Sequence, residues 1–228
     1  DGQLAGETSS LYFYDIDAPK RIYEYNPEVK LLVSLRNPVD RAFSSYQNNV
    51  TAGQIAKTNT FEEALNEDSD ILEKSSYSGP LQRFLDCFPK ERLLVLIYEE
   101  GLQDPMGFIQ SIYRYLGVDP QFAPSMVNQH LNVGRIPRSI FFDRALDTTG
   151  ELLRRMGLQS LIRWLKGMGL VGALRRTNTA TSDGQMLPST REYLERVFAP
   201  DVREVAELTG KDLGIWFDYE KRLSGQCQ

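Results

Sequence analysis

Two apolar runs of five residues constrain the fold more than any other feature of this sequence. They are Leu31–Leu35 and Leu93–Ile97, and their length and composition are typical of buried strands. Helical patterns lie between the two runs and again after the second, and polar residues follow each run. Strands that are joined through helices usually pair in parallel with right-handed crossovers. The sequence therefore predicts an α/β fold with a parallel central sheet flanked by helices.

The residues after the first run are suited to binding an anion. Arg36 follows the strand at its carboxyl end, Asn37 can cap a helix, and Pro38 can open one because proline lacks the N–H that would go unpaired there. In open α/β sheets, ligands bind at the carboxyl ends of strands, where the next helix points its positive end. The Arg36 guanidinium and the Ser44 hydroxyl, in the second turn of the predicted helix, can both donate to phosphate oxygens. The alternative is an ordinary strand–loop–helix in which Arg36 pairs with a surface carboxylate.

The segment from Leu31 to Tyr46 resembles the 3′-phosphate-binding motif of sulfotransferases that use 3′-phosphoadenosine 5′-phosphosulfate (PAPS). This resemblance implies that Arg36 and Ser44 hold the 3′-phosphate of PAPS and of its product 3′-phosphoadenosine 5′-phosphate (PAP). It further implies a P-loop-NTPase-like sulfotransferase fold with a helical C-terminal half. The implied activity is transfer of a sulfuryl group from PAPS to an acceptor hydroxyl.

A second segment, Gly6–Tyr12, is similar to a Gly-Glu-Lys-Ser/Thr-Pro-x-Tyr run of heparan-sulfate-type and related bacterial sulfotransferases. Thr8 and Ser10 replace the common Lys and Pro, so the match is partial. The resemblance implies that Glu7 is the general base. A carboxylate within hydrogen-bond reach of the acceptor hydroxyl can take its proton as it attacks. The alternative is that Glu7 is a solvated residue of the N-terminal stretch.

A third segment, Asn132–Ser139, resembles the late loop of the same family that closes over the nucleotide. The resemblance implies that Gly134 and Arg135 contact the nucleotide, since glycine lets backbone N–H groups approach a phosphate and arginine adds charge. The alternative is a loop before a helix with solvated arginines. With further matches as far as Trp216, the resemblance spans nearly all of the chain.

The family's 5′-phosphosulfate loop, Lys-x-Gly-Thr-Thr, has no counterpart in this sequence. We therefore expect residues 1–228 to be a single sulfotransferase domain that is N-terminally incomplete, with the loop upstream of Asp1. The chain alone is then expected to show weak or no turnover. A natural truncation that has lost catalysis is the alternative.

Composition limits the other function classes. The net charge of −5 argues against general nucleic-acid binding, and two cysteines without a disulfide framework favour a cytoplasmic location. One histidine and no CxxC or HExxH spacing predict no metal site. The acceptor is left open among a small molecule, a lipid and a carbohydrate, and the oligomeric state is open as well.

The amphipathic, basic segment 152–171 has no clear counterpart in the family. It can lie on a membrane surface or form a lid, or it can be two short helices packed on the domain or at a dimer contact. Two rival functions remain at this point. One is another nucleotide-dependent transferase or kinase, against which the lack of a Walker loop counts. The other is a non-catalytic nucleotide-binding or membrane-peripheral protein that retains the sulfotransferase fold.

Local patterns predict four further elements. Leu11–Tyr14 is expected to be a short strand or turn, and Ile136–Asp147 a helix. Pro188 is expected to open a helix that reaches Phe198, and Asp201–Leu208 is expected to form a separate last helix after Pro200.

Overall fold

The computed structural model describes residues 4–56, 59–124, 136–137, 179–180 and 186–219. These residues fall into two compact units. The first unit contains residues 4–42, 69–124 and 188–219. The second contains residues 43–56 and 59–68 and the short stretches 136–137, 179–180 and 186–187.

The sheet of the first unit is a parallel pair of strands. β1 (Leu31–Leu35) pairs with β2 (Leu93–Ile97), and both strands have the predicted bounds. β2 is buried along most of its length, whereas Leu32 and Ser34 of β1 are exposed. The prediction of a buried strand is therefore wrong for alternate residues of β1, because the described residues cover that strand on one face only.

Helices make up most of the rest of the described chain. In chain order they are α1 (Leu11–Tyr14), α2 (Ala18–Tyr25), α3 (Pro38–Ala52), α4 (Phe61–Glu67), α5 (Asp70–Glu73), α6 (Ser78–Cys87), α7 (Tyr98–Gln103), α8 (Pro105–Leu116) and α9 (Pro188–Thr209), with a 3₁₀ turn at Lys90–Arg92. None of the helices in the described ranges is both long enough and apolar enough to span a lipid bilayer.

The core of the first unit lies where α6 and α9 pack together. Leu81 of α6 and Phe198 of α9 are almost completely buried, as is Val202 one turn further along α9. α9 continues through Pro200, so the predicted break between two helices is wrong. Proline inside a helix removes one backbone hydrogen bond. Apolar side chains buried on both sides of Pro200 keep the helix continuous in spite of that loss.

The structure decides between a strand and a turn at Leu11–Tyr14, and it corrects the helix predicted from Ile136. Leu11–Tyr14 forms a single helical turn instead of a strand, and the ring of Phe13 stacks on the ring of Phe84 in α6, with centroids 6.2 Å apart. Ile136–Pro137 forms a strand, β3, that pairs antiparallel with β4 (Thr179–Ala180) in the second unit. The helix predicted from Ile136 is thus wrong at its first two residues, and its remainder lies outside the described residues.

The second unit has an aromatic cluster of its own. The rings of Phe43, Tyr46 and Phe61 lie with their centroids 5.1–5.9 Å apart. α4 begins with a capping box, in which the Thr60 side chain accepts from the Glu63 backbone N–H and the Glu63 carboxylate accepts from the Thr60 backbone N–H.

Candidate functional site

The turn between β1 and α3 forms the first part of the site. Asn37 caps α3, since its Oδ1 accepts hydrogen bonds from the backbone N–H groups of Val39 at 2.9 Å and Asp40 at 3.4 Å. Pro38 is the first residue of the helix. Both predicted roles are confirmed: the asparagine supplies an acceptor that the helix start lacks, and proline loses no hydrogen bond there. Arg36 is therefore held at the carboxyl end of β1, directly before the N-terminus of α3.

A carboxylate at the end of β2 holds this turn in place. The Glu99 Oε1 accepts a hydrogen bond from the Asn37 backbone N–H at 2.9 Å, and its Oε2 accepts one from the Trp216 indole Nε1–H at 2.8 Å. The Asn37 side-chain amide in turn donates to the Trp216 carbonyl at 2.9 Å. The sequence reasoning missed this network. The position of Glu99 just after the second strand could have indicated the network, because the carboxyl ends of two parallel strands meet at the same edge of the sheet.

Tyr77 supports the same turn from the other side. Its hydroxyl donates to the Arg36 carbonyl at 2.9 Å, and its side chain is only 3% exposed. Burial raises the pKa of the Tyr77 hydroxyl far above its usual value, so the group stays protonated and can donate. The backbone N–H groups of Tyr77 and Ser78 donate to the Asp201 carboxylate at 2.9–3.2 Å. Tyr77 therefore packs at the start of α6.

The Arg36 side chain has no carboxylate partner among the described residues. Its guanidinium is half-buried and lies over the ring of Tyr98, with Cζ 5.5 Å from the ring centroid. The aromatic face orients the guanidinium without using its N–H donors. The alternative expectation, an ion pair with a surface carboxylate, finds no support in the described ranges.

Ser44 lies in the second turn of α3, in the part of that helix that belongs to the second unit. Its side chain is half-buried, and within the described part of the chain its hydroxyl makes no hydrogen bond. The hydroxyl is thus available as a donor, which is what the predicted role requires.

Glu7 lies in the extended stretch before α1. The Tyr12 hydroxyl donates to the Glu7 Oε1 at 2.7 Å, and both side chains are exposed. This hydrogen bond and the negative charge of Glu7 raise the pKa of Tyr12, so that the tyrosine remains a donor. Among the described residues, Glu7 therefore has one hydrogen-bond partner, Tyr12, and its other carboxylate oxygen is open to solvent or to a ligand.

The other predicted elements cannot be placed in the same way. Gly134, Arg135 and the segment 152–171 lie outside the described residues. Within the described ranges, no group of His, Cys, Asp and Glu side chains is arranged to hold a metal ion.

The Glu99 network predicts a measurable loss of stability. In Glu99→Ala, the Asn37 N–H and the Trp216 indole N–H lose their acceptor, so the free energy of unfolding is expected to fall by about 2 kcal/mol. The matched control is Glu100→Ala, since Glu100 is exposed and has only a 3.6 Å ion pair with Lys211. That change is expected to cost less than about 0.5 kcal/mol. Urea unfolding of both variants checks this, and equal losses would contradict the role given to Glu99.

Comparison with known proteins identifies the family of this chain. Residues 18–142 match the family model described as "Sulfotransferase domain", which is more than half of the chain. The chain therefore belongs to the sulfotransferase domain family. The family expected from the residues around Arg36 is confirmed, and so is the α/β fold class.

Individual relatives and a solved structure agree. Heparan sulfate glucosamine 3-O-sulfotransferase 5 of Homo sapiens is 28% identical over 144 residues, which are 58% of this chain and 41% of that protein. Bifunctional heparan sulfate N-deacetylase/N-sulfotransferase 2 of Homo sapiens is 31% identical over 126 residues, 50% of this chain and 14% of that protein. The chain thus spans less than half the length of these relatives. The crystal structure of a sulfotransferase from Alicyclobacillus acidocaldarius shares the fold, with a TM-score of 0.64 and 24% identity over 93% of this chain and 67% of that one.

Proposed function

We propose that this chain is the PAPS-dependent part of a sulfotransferase, which moves a sulfuryl group from PAPS to an acceptor hydroxyl. The observation that carries the proposal is the Arg36 guanidinium. Arg36 belongs to a sulfotransferase domain and lies at the carboxyl end of a parallel strand. Its guanidinium lies over the ring of Tyr98 and has no carboxylate partner among the described residues. A positive group that is oriented but unpaired at this edge of the sheet is suited to a phosphate.

Arg36 and Ser44 are proposed to bind the 3′-phosphate of the nucleotide. Arginine can place two parallel N–H groups on one phosphate, and a serine hydroxyl adds a third donor. The Asn37 cap and the Tyr77 hydrogen bond fix the backbone from which the Arg36 side chain extends. Because this backbone is already fixed, the protein loses less conformational entropy when the nucleotide binds.

Glu7 is proposed to act as the general base. The acceptor oxygen forms a bond to the sulfur of PAPS while the bond between that sulfur and the 5′-phosphate oxygen breaks, and PAP leaves. The acceptor's proton passes to the Glu7 carboxylate. The Tyr12 hydroxyl donates to one oxygen of that carboxylate, and the other oxygen is left to take the proton.

The remaining contacts and the acceptor are also proposals. Gly134 and Arg135 are proposed to close over the nucleotide. The relatives named for heparan sulfate support a carbohydrate as the acceptor, and the 3-O-sulfotransferase among them supports a hydroxyl as the group that is sulfated. A cytoplasmic location remains the expectation from the low cysteine content.

Nucleotide competition tests the proposed function. PAP titrated into the chain in a calorimeter is expected to bind at one site, and an equal concentration of ATP is expected to leave about nine tenths or more of the PAP bound. The reason is that ATP has no 3′-phosphate for Arg36 and Ser44. Displacement of PAP by an equal concentration of ATP would contradict the proposal and favour another nucleotide-dependent transferase or a kinase.

A further inference from the structure

A salt bridge in the first unit joins the first turn of α3 to the start of α9. The Arg191 Nη2 donates a hydrogen bond to the Asp40 Oδ1 at 2.6 Å. Both side chains are half-buried, so solvent and salt screen this pair less than they screen the exposed ion pairs of the chain. The two residues are 151 positions apart in the sequence, and the tertiary fold alone brings them together.

Asp40 places its negative charge close to the proposed phosphate site. It is the third residue of α3 and follows Arg36 by four positions. Its backbone N–H donates to the Asn37 Oδ1 at 3.4 Å, so Asp40 belongs to the capped first turn of the helix. Four residues along a helix rise by about 6 Å, which puts the Asp40 backbone within roughly 10 Å of the Arg36 backbone.

A carboxylate in this turn opposes the binding of a phosphate. Both groups are attracted to the positive end of the same helix, so they compete for it. They also repel each other, because a phosphate monoester carries a charge of about −1.5 to −2 at neutral pH. Arg41, the residue after Asp40, directs its guanidinium to the Tyr14 ring and the Ser75 hydroxyl instead of to Asp40.

Glu99 adds a second negative charge at the same edge of the sheet. Its hydrogen-bond donors among the described residues are neutral, namely the Asn37 backbone N–H and the Trp216 indole N–H. With the Asp40 carboxylate counted as well, the turn holds one positive charge, that of Arg36, and two negative charges. The guanidinium that α9 brings to Asp40 restores the balance.

We propose that Arg191 is a positioning residue for nucleotide binding. By pairing with Asp40, it cancels the charge of that carboxylate and holds it against α9. The 3′-phosphate of the nucleotide then meets no repulsion from the first turn of α3. This inference rests on the proposed phosphate site at Arg36, and it adds α9 to the elements that prepare that site.

Calorimetry with PAP and with adenosine 5′-monophosphate at low ionic strength tests the role of Arg191. Arg191→Gln is expected to weaken PAP binding about three- to tenfold, because the Asp40 charge then acts on the phosphate. The monophosphate lacks the 3′-phosphate and is expected to lose less than about twofold in affinity. The matched control is Arg203→Gln, which removes an exposed arginine of the same helix that has a 3.7 Å pair with Glu207. That variant is expected to change PAP affinity less than about twofold.

A second substitution separates the effect of charge from that of contact. In the double variant Arg191→Gln/Asp40→Asn neither residue of the pair is charged, so PAP affinity is expected to return to within about twofold of the wild type. If Arg191 instead touched the phosphate or served only in packing, the second substitution would restore nothing. Salt gives an independent readout, because the affinity ratio of the wild type to Arg191→Gln is expected to fall below about twofold in roughly 0.5 M sodium chloride.

The remaining outcomes each count against one proposal. An equal loss of PAP and monophosphate affinity in Arg191→Gln, no loss of PAP affinity, or a double variant as weak as Arg191→Gln would overturn the inference. Failure of the wild type to bind PAP would instead count against the proposed function. If Arg191→Gln does not fold, Asp40→Asn replaces it. That variant leaves the Arg191 charge uncancelled, so it must bind PAP more tightly than the wild type, and equal or weaker binding would contradict the role of Arg191.

Discussion

Glu7→Gln is expected to slow sulfuryl transfer by about 100- to 10,000-fold, the usual contribution of a positioned general base. Glutamine keeps the size of the side chain and still offers Tyr12 an oxygen, but it cannot take the acceptor's proton. PAP affinity is expected to be unchanged, because Glu7 is proposed to meet the acceptor and not the 3′-phosphate. The measurement is the initial rate with PAPS and a carbohydrate acceptor, paired with PAP calorimetry.

The control for Glu7 is Glu24→Gln. Glu24 is an exposed residue of α2 with a 3.9 Å pair to Lys20, so its loss changes the net charge equally without touching the proposed base. Its rate is expected to stay within about twofold of the wild type. If Glu7→Gln retains more than a tenth of the wild-type rate, the base must be another group and Glu7 is a solvated residue of the N-terminal stretch.

Arg36→Ala is expected to weaken PAP binding by about 10- to 100-fold. Hydrogen bonds to charged groups contribute roughly 1.5–3 kcal/mol, and each 1.4 kcal/mol corresponds to a tenfold change in affinity. The PAP affinity of Arg36→Lys is expected to lie between those of the wild type and Arg36→Ala, because lysine restores the charge without the paired N–H donors. Calorimetric titration with PAP gives the dissociation constants of the wild type, Arg36→Ala and Arg36→Lys.

Stability separates a binding effect from misfolding. The Tyr77 hydrogen bond reaches the backbone carbonyl of Arg36, and the helix cap belongs to Asn37, so neither contact needs the Arg36 side chain. The unfolding temperature of Arg36→Ala is therefore expected to stay close to that of the wild type. The control is Arg203→Ala, which removes an exposed arginine that has a 3.7 Å pair with Glu207. A similar loss of PAP affinity in both variants would mean that the effect is one of net charge only.

Much of the first unit could be predicted from local sequence. The two strands have the predicted bounds, because their apolar runs specify them without distant contacts. α8 begins after Asp104, whose side chain accepts from the Gly107 N–H, and ends at Gly117 with a φ of 78°. Glycine adopts such a left-handed conformation without the steric cost that a side chain brings.

The errors occur where tertiary contacts decide the structure. Pro200 is a strong local signal for a helix end, but Phe198 and Val202 on either side of it are buried, and α9 continues. Phe13 draws α1 into a helical turn against α6, which no local pattern of Leu11–Tyr14 indicates. These outcomes depend on residues far apart in the chain, so a local pattern cannot specify them.

The candidate site also contains residues that local sequence predicts and residues that only tertiary contacts identify. Arg36 and the Asn37 cap were predicted because they lie in one short strand–turn–helix segment. Glu99 and Trp216 were missed, because they support that turn from 62 and 179 positions away. The alternation of strands and helices shows that such supports must lie at the edge of the sheet, but only the packing identifies the residues.

The most direct test of the central claim compares two nucleotides that differ in the 3′-phosphate alone. Calorimetry with PAP and with adenosine 5′-monophosphate is carried out on the wild type and on Arg36→Ala. The wild type is expected to bind PAP about 10- to 100-fold more tightly than the monophosphate, and Arg36→Ala is expected to bind the two within about threefold of each other. Equal wild-type affinities for both nucleotides, or the same loss of affinity for both in Arg36→Ala, would contradict a 3′-phosphate site at Arg36.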